Sequence, residues 1–396
     1  MKKIMILGAG IYQVPLIKKA REMGLETIVV SIDGPYPGFK YADKIYKYDT
    51  RDVDAILAAA ICENIDGIVT TGTDVAVRAI GFVCDALNLP GISKKAARLL
   101  TDKADMKIAF SEGVSTSPFR IIKNKEQAAE AARLIGYPVM VKACDVSGSR
   151  GISRVDGDEG LGKAVDYAFA ATHTDHIIIE KMVTGYEIGV DGFVRNGETV
   201  LCLPHDKYIA WCDATTVPAG HSFPFKGSAA LKEAIRREFD NVVKATGLNN
   251  CAVNMDVFVT GEDSVSVLEA GGRCGATTIP ELISIYTGID YYEAMIRTAM
   301  GEAFDFTPKK ATPCMGRLLT SPITGCIRAI DEEGLEKIRQ EGICFSLDYG
   351  VGDTVHKMQD GTDRIGQIIM ETEKEEEIQA MAEKILGCLT IEAQGE

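Results

Sequence analysis

The first ninety residues alternate short apolar runs with longer stretches whose apolar positions recur at helical spacing. The short runs are rich in β-branched residues and end at Gly or Asp, which is typical of parallel strands buried on both faces. These runs are KKIMILG at 2–8, TIVVSID at 27–33 and GIVTTG at 67–72, and the helical stretches between them cover 14–24 and 51–65. The βαβαβ order predicts a doubly wound parallel sheet.

From about residue 120 the pattern changes to paired strands with fewer helices. Predicted strands cover 137–143, 152–155, 176–183, 186–209 and 251–272, and predicted helices cover 124–136, 160–173 and 228–247. The segment RNGE at 195–198 predicts a tight hairpin turn within 186–209. The last eighty residues, from about Pro313, predict a smaller α/β piece that ends in a charged helix at 373–387.

Composition narrows the possible functions. A chain of 396 residues is expected to form two to four domains, and no apolar run is long enough to cross a bilayer. The formal net charge of −14 and the lack of a basic cluster argue against nucleic-acid binding. MKKIMILGAG runs directly into a strand–turn–helix pattern, so we interpret it as structure and not as a signal peptide.

The cysteines and histidines give little support for a metal or disulfide framework. The eleven cysteines contain no C-x-x-C pair, which favours a reducing cytoplasm and argues against disulfides and a zinc site. His173 and His176 are three residues apart, but the sequence shows no third ligand near them. We therefore expect them to lie at a solvated helix end or turn.

The hairpin predicted at 251–272 is the most informative segment. A loop at 261–264 fixes the register of the two strands. On one face of the sheet this register pairs Thr260 with Val265, Phe258 with Val267, Asp256 with Glu269, and Asn254 with Gly271. Two opposing carboxylates about 5 Å apart destabilise a sheet unless a shared proton, a basic neighbour or a cation offsets the repulsion. Mg²⁺ fits such a pair. The alternatives are an exposed acidic pair without a role, or a register shifted by one residue.

The segment YPVMVKACDVSGSRGI at 137–152 combines a lysine with a small-residue loop. Lys142 ends an apolar strand, and Ser147, Gly148 and Ser149 follow, so backbone N–H groups and one cation could approach the same phosphate. The order differs from a P-loop, because the lysine precedes the glycines. An ordinary strand connection would look much the same.

Taken in order, these segments resemble the ATP-grasp superfamily, and most of all its carboxylate–amine (L-amino acid) ligase branch, which is related to biotin carboxylase and carbamoyl-phosphate synthase. TDKADMKIAFSEGVSTSPF at 101–119 resembles the segment that opens the ATP-grasp region, and IIIEKMVTGYEIGVDG at 177–192 resembles the hinge and its following strand. The resemblance implies a Rossmann-like domain at 1–95, an ATP-grasp α+β region at 96–312 with a flap at about 120–185, and a small α/β subdomain at 313–396.

The resemblance also implies a role for individual residues, with ATP and Mg²⁺ (or Mn²⁺) as cofactors. Lys103 and Lys142 would contact the phosphates, and Asp256 and Glu269 would bind the metal. Arg273 would lie beside the transferring phosphoryl group. The remaining implied nucleotide contacts are the adenine edge along Glu180, Lys181, Met182 and Val183, and the ribose at Glu187.

One position departs from the family pattern. The family often has Asn two residues after the second carboxylate, where this chain has Gly271. The second metal would then be held less tightly, or by another group such as Asn254.

HDKYIAWCDATTVPAGHSFPF at 205–225 resembles the substrate side of the amino-acid ligases, and implies substrate or lid contacts for Lys207 and His221. A surface loop whose histidine merely packs is the alternative.

The first glycine-rich turn raises the question of a dinucleotide. Gly8 and Gly10 match the fingerprint, and Asp33 lies where a ribose-binding acid would, but Gln13 replaces the third glycine. Because the Rossmann-like domain of the family normally binds no dinucleotide, we expect none here.

The implied activity is amide or peptide bond formation through an acylphosphate, in a cytoplasmic enzyme that takes small carboxylate and amine substrates and forms a possible homodimer. The alternatives are an ATP-grasp enzyme with another carboxylate–amine pair, of the purine-pathway or carbamoyl-phosphate type, and an ATP-binding regulator without catalysis.

Overall fold

The protein is described here by a computed structural model, which covers residues 1–146, 150–212, 215–359 and 363–393. The chain forms two compact units. The first contains Met1–Pro204, Gly227–Gly275 and Tyr292–Phe306, and the second contains His205–Lys226, Ala276–Tyr291 and Thr307–Glu396.

The strands and helices follow in chain order. The strands are β1 (Lys3–Leu7), β2 (Glu26–Val30), β3 (Lys44–Tyr46), β4 (Gly67–Val69), β5 (Phe119–Ile122), β6 (Val139–Ala143), β7 (Ile152–Val155), β8 (Ile177–Lys181), β9 (Tyr186–Arg195), β10 (Glu198–Cys212), β11 (Thr215–Phe223), β12 (Cys251–Val259), β13 (Val265–Gly271), β14 (Cys314–Thr320), β15 (Gly325–Ile330), β16 (Cys344–Leu347), β17 (Thr354–Val355), β18 (Arg364–Met370) and β19 (Leu389–Ala393). The helices are α1 (Val14–Glu22), α2 (Val53–Glu63), α3 (Val77–Leu87), α4 (Lys94–Leu99), α5 (Lys103–Phe110), α6 (Ala128–Ile135), α7 (Leu161–Ala171), α8 (Ala229–Thr246), α9 (Ile279–Thr287), α10 (Tyr291–Ala299), α11 (Glu332–Gln340) and α12 (Glu375–Leu386).

The first unit begins with the predicted parallel sheet, in the order β3–β2–β1–β4. Four consecutive residues of β1, Ile4–Leu7, are fully buried, as expected for a strand covered on both faces. The sequence pattern missed β3, a three-residue edge strand with mostly exposed side chains. A strand of three mostly exposed residues is too short to show an alternation of apolar and polar positions in the sequence.

Helices α4 and α5 connect this sheet to the rest of the first unit, and both begin at a side-chain cap. Ser93 accepts a hydrogen bond from the N–H of Ala96, and Asp102 accepts from the N–H groups of Ala104 and Asp105. Capping by a short polar side chain satisfies N–H groups that have no partner within the helix. The Asp102 cap fixes the start of α5 at Lys103.

The region predicted as the flap is an antiparallel sheet in the order β5–β8–β6–β7. Helices α6 and α7 pack on it through a core of small and branched side chains that includes Ala132, Val141, Val165 and Ile179. The predicted strands and helices between 124 and 183 are confirmed, with ends that differ by a few residues. This sheet places Lys142 on β6 beside Glu180 on β8.

A larger antiparallel sheet carries the acidic hairpin, with β9 between β12 and β10, and β13 next to β12. The turn between β9 and β10 has Asn196 at φ 52° and Gly197 at φ 78°. Two positive φ values in a two-residue turn match the type I′ geometry that suits the twist of a hairpin, so the turn predicted at 195–198 is confirmed. Strand β10 runs from the first unit into the second at His205.

In the second unit, β10 is followed in the sheet by β11, β14, β18 and β16, and a separate small sheet has the order β17–β15–β19. Side chains of α11 and α12, such as Leu335, Ile338 and Ile385, share a core with Leu319 and Ile368 of the strands. The predicted small α/β piece and its charged terminal helix are confirmed, and β19 follows that helix. The division of the chain at residues 95 and 312 stays a prediction.

Among the described residues, none of the helices has both the length and the apolar character that a bilayer crossing requires. The ten cysteine side chains that the structure describes are free thiols.

Candidate nucleotide and metal site

The acidic hairpin brings Asp256 of β12 directly opposite Glu269 of β13, and Asn254 opposite Gly271, as the sequence predicts. Asp256 also lies opposite Gly189 of β9, and Asn254 opposite Asp191. Directly opposed residues in neighbouring strands point to the same face of a sheet. One face of the sheet therefore collects carboxylates from three neighbouring strands.

The outer half of the hairpin differs from the predicted register. Phe258 faces Ser266 and not Val267, and the pair nearest the loop is Val259 with Val265, so the predicted pairs Phe258–Val267 and Thr260–Val265 are wrong. The register shifts by one residue beyond Asp256, where Leu268 is the extra residue of a β-bulge on β13. A bulge of this kind bends its strand and redirects side chains, and it lies immediately next to Glu269.

Lys103 faces this acidic pair from the first turn of α5. Its Nζ lies 3.5 Å from Oε2 of Glu269 and donates a 2.9 Å hydrogen bond to the carbonyl of Val146. Burial opposes the charge of Lys103, but the Glu269 and Asp74 carboxylates outweigh it and raise the pKa of this lysine. Lys103 therefore keeps its positive charge beside Glu269.

A second group of charges is buried between β6, β8 and α5. Glu180, which is only 2% exposed, lies 3.1 Å from the Nζ of Lys107 and 3.3 Å from the Nζ of Lys142, and accepts a 2.9 Å hydrogen bond from Ser117. Burial raises the pKa of a carboxyl group, but the two lysines and the Ser117 hydroxyl overcome that effect and lower the pKa of Glu180 to about 2. This carboxylate is ionised and balances two cations.

The sequence did not identify Lys107, which is 1% exposed and donates to the Thr116 hydroxyl. Burial lowers its pKa, although Glu180 opposes that shift. Lys107 could have been identified from its position four residues after Lys103 on the same helix, because residues i and i+4 share a helix face. The hydroxyl of Thr116 in turn donates to the carbonyl of Val267 on the acidic hairpin.

In the segment expected to hold adenine, two main-chain N–H groups already donate hydrogen bonds within the protein. The N–H of Lys181 donates to the carbonyl of Pro118, and the N–H of Met182 donates to that of Pro138. An adenine edge would need other main-chain atoms of Glu180–Val183. Glu187, expected at the ribose, lies on β9 opposite Phe258 and on the same face as Asp256. Ser147, Gly148 and Ser149 lie outside the described residues, so their contact with phosphate stays a prediction.

Arg273 is held by a chain of polar contacts. Its guanidinium makes two 2.7 Å hydrogen bonds to the two oxygens of Asp74, and it donates to Oδ1 of Asn254 at 3.0 Å. Nδ2 of Asn254 donates to Asp191 at 2.9 Å, and Asp191 accepts from the N–H of Gly275 at 2.8 Å. Burial opposes the charge of Arg273, but Asp74 raises its pKa further above the ordinary value. The sequence missed Asp74 because it lies 199 residues away.

This arrangement explains Gly271. A Cβ atom at that position would lie 3.0 Å from Oδ1 of Asp74 and 3.6 Å from the guanidinium of Arg273, so a larger side chain would require the Asp74 carboxylate to shift. The oxygen of Asn254 accepts from Arg273 and its amide nitrogen donates to Asp191, and a metal contact of Asn254 in place of the missing Asn stays a prediction. The structure assigns Asn254 a contact that orients Arg273.

The first glycine turn is filled by a side chain of the protein itself. Buried Gln13 accepts a hydrogen bond from the N–H of Gly10 at 2.9 Å and donates to the carbonyl of Thr71 at 2.5 Å. Its side chain comes within 3.0 Å of where a Cβ of Gly8 would lie. A dinucleotide needs that space for its pyrophosphate. The contact favours the prediction that the turn binds no dinucleotide.

Lys207 and His221 lie in the second unit, on adjacent strands and directly opposite each other. His221 is buried, and its ring lies edge-on to that of His205 with centroids 4.8 Å apart. Burial, together with His205 and Lys207, holds the pKa of His221 well below its ordinary value. The ring of Phe223 packs on His205 at 5.0 Å. A neutral histidine among rings favours packing for His221, and its contact with substrate stays a prediction.

Two family models and several curated proteins are similar to parts of this chain. Residues 108–298 match the family model described as "D-ala D-ala ligase C-terminus", and residues 317–394 match "L-amino acid ligase C-terminal domain 2". The formate-dependent phosphoribosylglycinamide formyltransferases of Mycolicibacterium vanbaalenii and Cupriavidus pinatubonensis are each 30% identical over 51% of this chain. These matches cover about half of the relatives' length, 54% and 53%.

Solved structures extend the likeness to the whole chain. A phosphoribosylglycinamide synthetase from Anaerococcus prevotii is 28% identical, covers 99% of this chain and 100% of its own, and superposes with a TM-score of 0.80. The L-amino acid ligase of Bacillus licheniformis shares the fold at 17% identity, a TM-score of 0.82 and coverage of 100% and 99%. The biotin carboxylase domain of a Hydrogenobacter thermophilus 2-oxoglutarate carboxylase, solved as a dimer with MgADP, has a TM-score of 0.78 at 19% identity, with coverage of 99% and 90%.

Proposed function

We propose that this chain, a member of the ATP-grasp superfamily by its fold and its motifs, is an ADP-forming ligase that joins a carboxylate to an amine, with amino acids as substrates. The observation that carries the proposal is the face on which Asp256 and Glu269 oppose each other beside Lys103. Opposed carboxylates next to a partly buried lysine suit a magnesium–polyphosphate ligand better than a structural role.

The residues present fit Mg²⁺. Asp256 and Glu269 offer hard carboxylate oxygens from directly opposed positions, which a cation would stabilise. When bound, Mg²⁺ neutralises phosphate charge and helps to align the β- and γ-phosphates. The magnesium–nucleotide complex of the related biotin carboxylase domain supports this assignment.

The chain's own residues supply the remaining positive charge. Lys103 and Lys142 would bind phosphate oxygens, while the ion pairs of Glu180 with Lys142 and Lys107 hold these two lysines in fixed positions. Fixed charges of this kind stabilise a moving phosphoryl group without reorganisation at the moment of reaction. Phosphoryl transfer to the substrate carboxylate gives an acylphosphate and ADP, and attack by the amine then expels phosphate.

Arg273 would orient the carboxylate and the transferring phosphoryl group. Its two contacts with Asp74 and its contact with Asn254 hold the guanidinium in one direction before any ligand binds. Such preorganisation reduces the entropy lost when the reacting groups are aligned. The sheet β5–β8–β6–β7 would act as the flap that excludes water from the acylphosphate.

Amino acids are favoured as substrates by the match of residues 317–394 to the L-amino acid ligase domain. A second candidate is a ribosylamine acceptor, favoured by the whole-length likeness at 28% identity to a phosphoribosylglycinamide synthetase. The two candidates share ATP, Mg²⁺ and a carboxylate, and they differ in the amine. A homodimer and a cytoplasmic location belong to the proposal as well.

The test is ADP and phosphate release with Mg-ATP and pooled amino acids, followed by mass spectrometry of the products. Parallel assays contain glycine with a phosphoribosylamine, and formate with phosphoribosylglycinamide. Amino-acid-dependent release together with a dipeptide mass supports the amino-acid ligase, and release only with the ribosylamine supports the second candidate. Tight ATP binding with no substrate-dependent release in any of these assays would favour a non-catalytic regulator.

Glu269→Ala is the inactive control for this assay. Glu262→Ala is its matched variant, because Glu262 is an exposed residue in the loop of the same hairpin. Release that survives Glu269→Ala would have to come from a different site or from a contaminant.

A further inference from the structure

Three side chains that the proposed reaction does not use meet beside the first turn of α5. One ligand atom from each of Asp102, Cys144 and His176 lies within 4.8 Å of the other two. Asp102 and Cys144 are buried, and His176 is 21% exposed. The residues come from three separate segments, so the sequence alone showed no third ligand near His176.

The orientation of His176 matches that of a metal ligand. Nδ1 lies 2.9 Å from a carboxylate oxygen of Asp175, and Nε2 points inward, 3.2 Å from Oδ2 of Asp102. In metal sites the ring nitrogen that does not bind the metal usually donates to a carboxylate or carbonyl. Asp175 provides that support from the solvent side and directs Nε2 towards Asp102 and Cys144.

Asp102 can contribute an oxygen without uncapping α5. Oδ1 accepts from the N–H groups of Ala104 at 2.8 Å and Asp105 at 3.0 Å, which fixes the carboxylate in place. Oδ2 faces His176. These two N–H groups therefore hold the Asp102 carboxylate in place, in the same way that Asp175 holds the imidazole of His176.

The donor set selects the class of cation. A thiolate, an imidazole and one carboxylate suit Zn²⁺, which binds four ligands tetrahedrally, and they suit Mg²⁺ poorly because it prefers oxygen. Burial and the neighbouring Asp102 raise the pKa of the Cys144 thiol, so this cysteine carries its proton in the absence of a cation. Binding of a divalent cation would release that proton to solvent and form the sulfur–metal bond.

We propose that Asp102, Cys144 and His176 form a binding site for a thiophilic divalent cation of the Zn²⁺ type, with water as the fourth ligand. The site is separate from the proposed magnesium site at Asp256 and Glu269. It lies directly behind Lys103, whose N–H donates to the carbonyl of Cys144 at 2.9 Å. Occupancy is therefore expected to change the affinity for ATP, a consequence that rests on the proposed function, whereas the cation site itself does not.

The experiment uses the full chain, reduced and freed of metal, in millimolar Mg²⁺ to saturate the oxygen-ligand site. Cd²⁺ is titrated while the thiolate-to-metal charge-transfer band is recorded, native mass spectrometry gives the stoichiometry, and Zn²⁺ is added as competitor. We expect one equivalent of Cd²⁺ to bind and to be displaced by Zn²⁺. Cys144→Ser should abolish the band, and His176→Gln should raise the Kd about 10- to 100-fold or more.

Two matched variants separate this site from adventitious binding. His173→Gln changes the exposed histidine three residues earlier, and Cys84→Ser changes another buried thiol. Both should keep the band and the wild-type Kd. If Cys144→Ser fails to fold, as judged by thermal melting, the pair His176→Gln and His173→Gln still decides the question.

Two results would overturn the proposal. One is the absence of saturable Cd²⁺ binding by the wild-type chain, which would leave His176 as an imidazolium between two carboxylates. The other is a band and a Kd that are unchanged in His176→Gln. The metal titration requires no ATP, so a failure of the proposed ligase activity would leave its result intact.

Discussion

Around the proposed nucleotide site in the first unit, buried and partly buried charged side chains are paired with opposite charges. Beside Lys207 and His221 in the second unit, two buried histidine rings pack on other rings, and Ser222 is a further buried polar residue. Glu180 balances two lysines, and Asp74 holds Arg273. His221 by contrast packs on His205, and its low pKa keeps it neutral.

The difference indicates where the protein handles a charged ligand. Burying an ion pair costs several kcal/mol per ion in desolvation, and apolar side chains of the same volume would often be as stable. We propose that the fold uses buried Lys107 and Glu180, with partly buried Lys142, as fixed charge for that ligand. His221 packs on other rings, and among the described residues its buried Nδ1 has no hydrogen-bond partner.

The largest effect is expected for Glu180→Gln. The change leaves Lys107 and Lys142 without their shared counter-charge in a buried place, and breaking such a pair costs about 3–5 kcal/mol. Urea denaturation measures this loss in the free energy of unfolding. Glu198→Gln, at an exposed glutamate, is the control and should change it by less than about 0.5 kcal/mol. Equal losses in the two variants would remove the distinction between the regions.

The ion pairs of Glu180 also predict that the free energy of unfolding depends on pH. Because the folded-state pKa of Glu180, about 2, lies below the ordinary value of 4.5, its contribution to stability is complete above pH 4.5 and is lost as the pH falls towards 2. The difference in unfolding free energy between wild type and Glu180→Gln should shrink across that interval. A difference that stays constant would mean that the carboxylate is not ionised in the folded protein.

A loss on the order of 10²–10³-fold in kcat is expected for Glu269→Gln, the size seen when one preorganised electrostatic contact is removed. The amide keeps the shape of the side chain and removes its charge from the position opposite Asp256. The effect should appear as weakened Mg²⁺ dependence in steady-state kinetics, while Glu262→Gln stays near wild type. An unchanged Mg²⁺ profile would contradict the metal assignment.

Asp74→Asn is expected to lower kcat by up to about 10²-fold through misplacement of Arg273, with a smaller change in KM for ATP. Asp74 acts through Arg273, so the split between kcat and KM is the informative readout. Asp54→Asn, at an exposed position of α2, is the control. Equal changes in kcat for the two variants would mean that Asp74 has no positioning role.

The smallest effect is expected for His221→Phe. A near-isosteric change among rings should cost about 1.5 kcal/mol or less and leave KM for both substrates near wild type. Denaturation and steady-state kinetics measure the two quantities. A tenfold rise in KM for the carboxylate or amine would show that the second unit contributes a substrate contact, and the contrast between the two regions would fail.

The features that the sequence could predict are those with a local periodic signal. The pair Asp256–Glu269 was predicted correctly because the error of one residue in the assumed loop and the missed bulge at Leu268 offset each other. The bulge at Leu268 was missed because β13, with seven residues, is too short for a one-residue change of phase to show in its apolar pattern. Phe258 therefore faces a different partner from the predicted one.

The missed residues of the site are those brought in by tertiary contacts. Asp74 reaches Arg273 across 199 positions, and Gln13 reaches Thr71 across 58. No spacing rule in one sequence connects such pairs. Lys107 was the exception, since it lies one helical turn after Lys103 and could have been proposed on that ground.

The most direct test of the central claim, that the charges of the first unit serve phosphoryl transfer to a carboxylate, is an isotope-transfer measurement. The active amino-acid pool is supplied with ¹⁸O-labelled carboxylates, and the released phosphate is examined by mass spectrometry. An acylphosphate route predicts one ¹⁸O in each phosphate, formed at the rate of product and lost in Glu269→Gln. Unlabelled phosphate released at the full rate of product formation would contradict it.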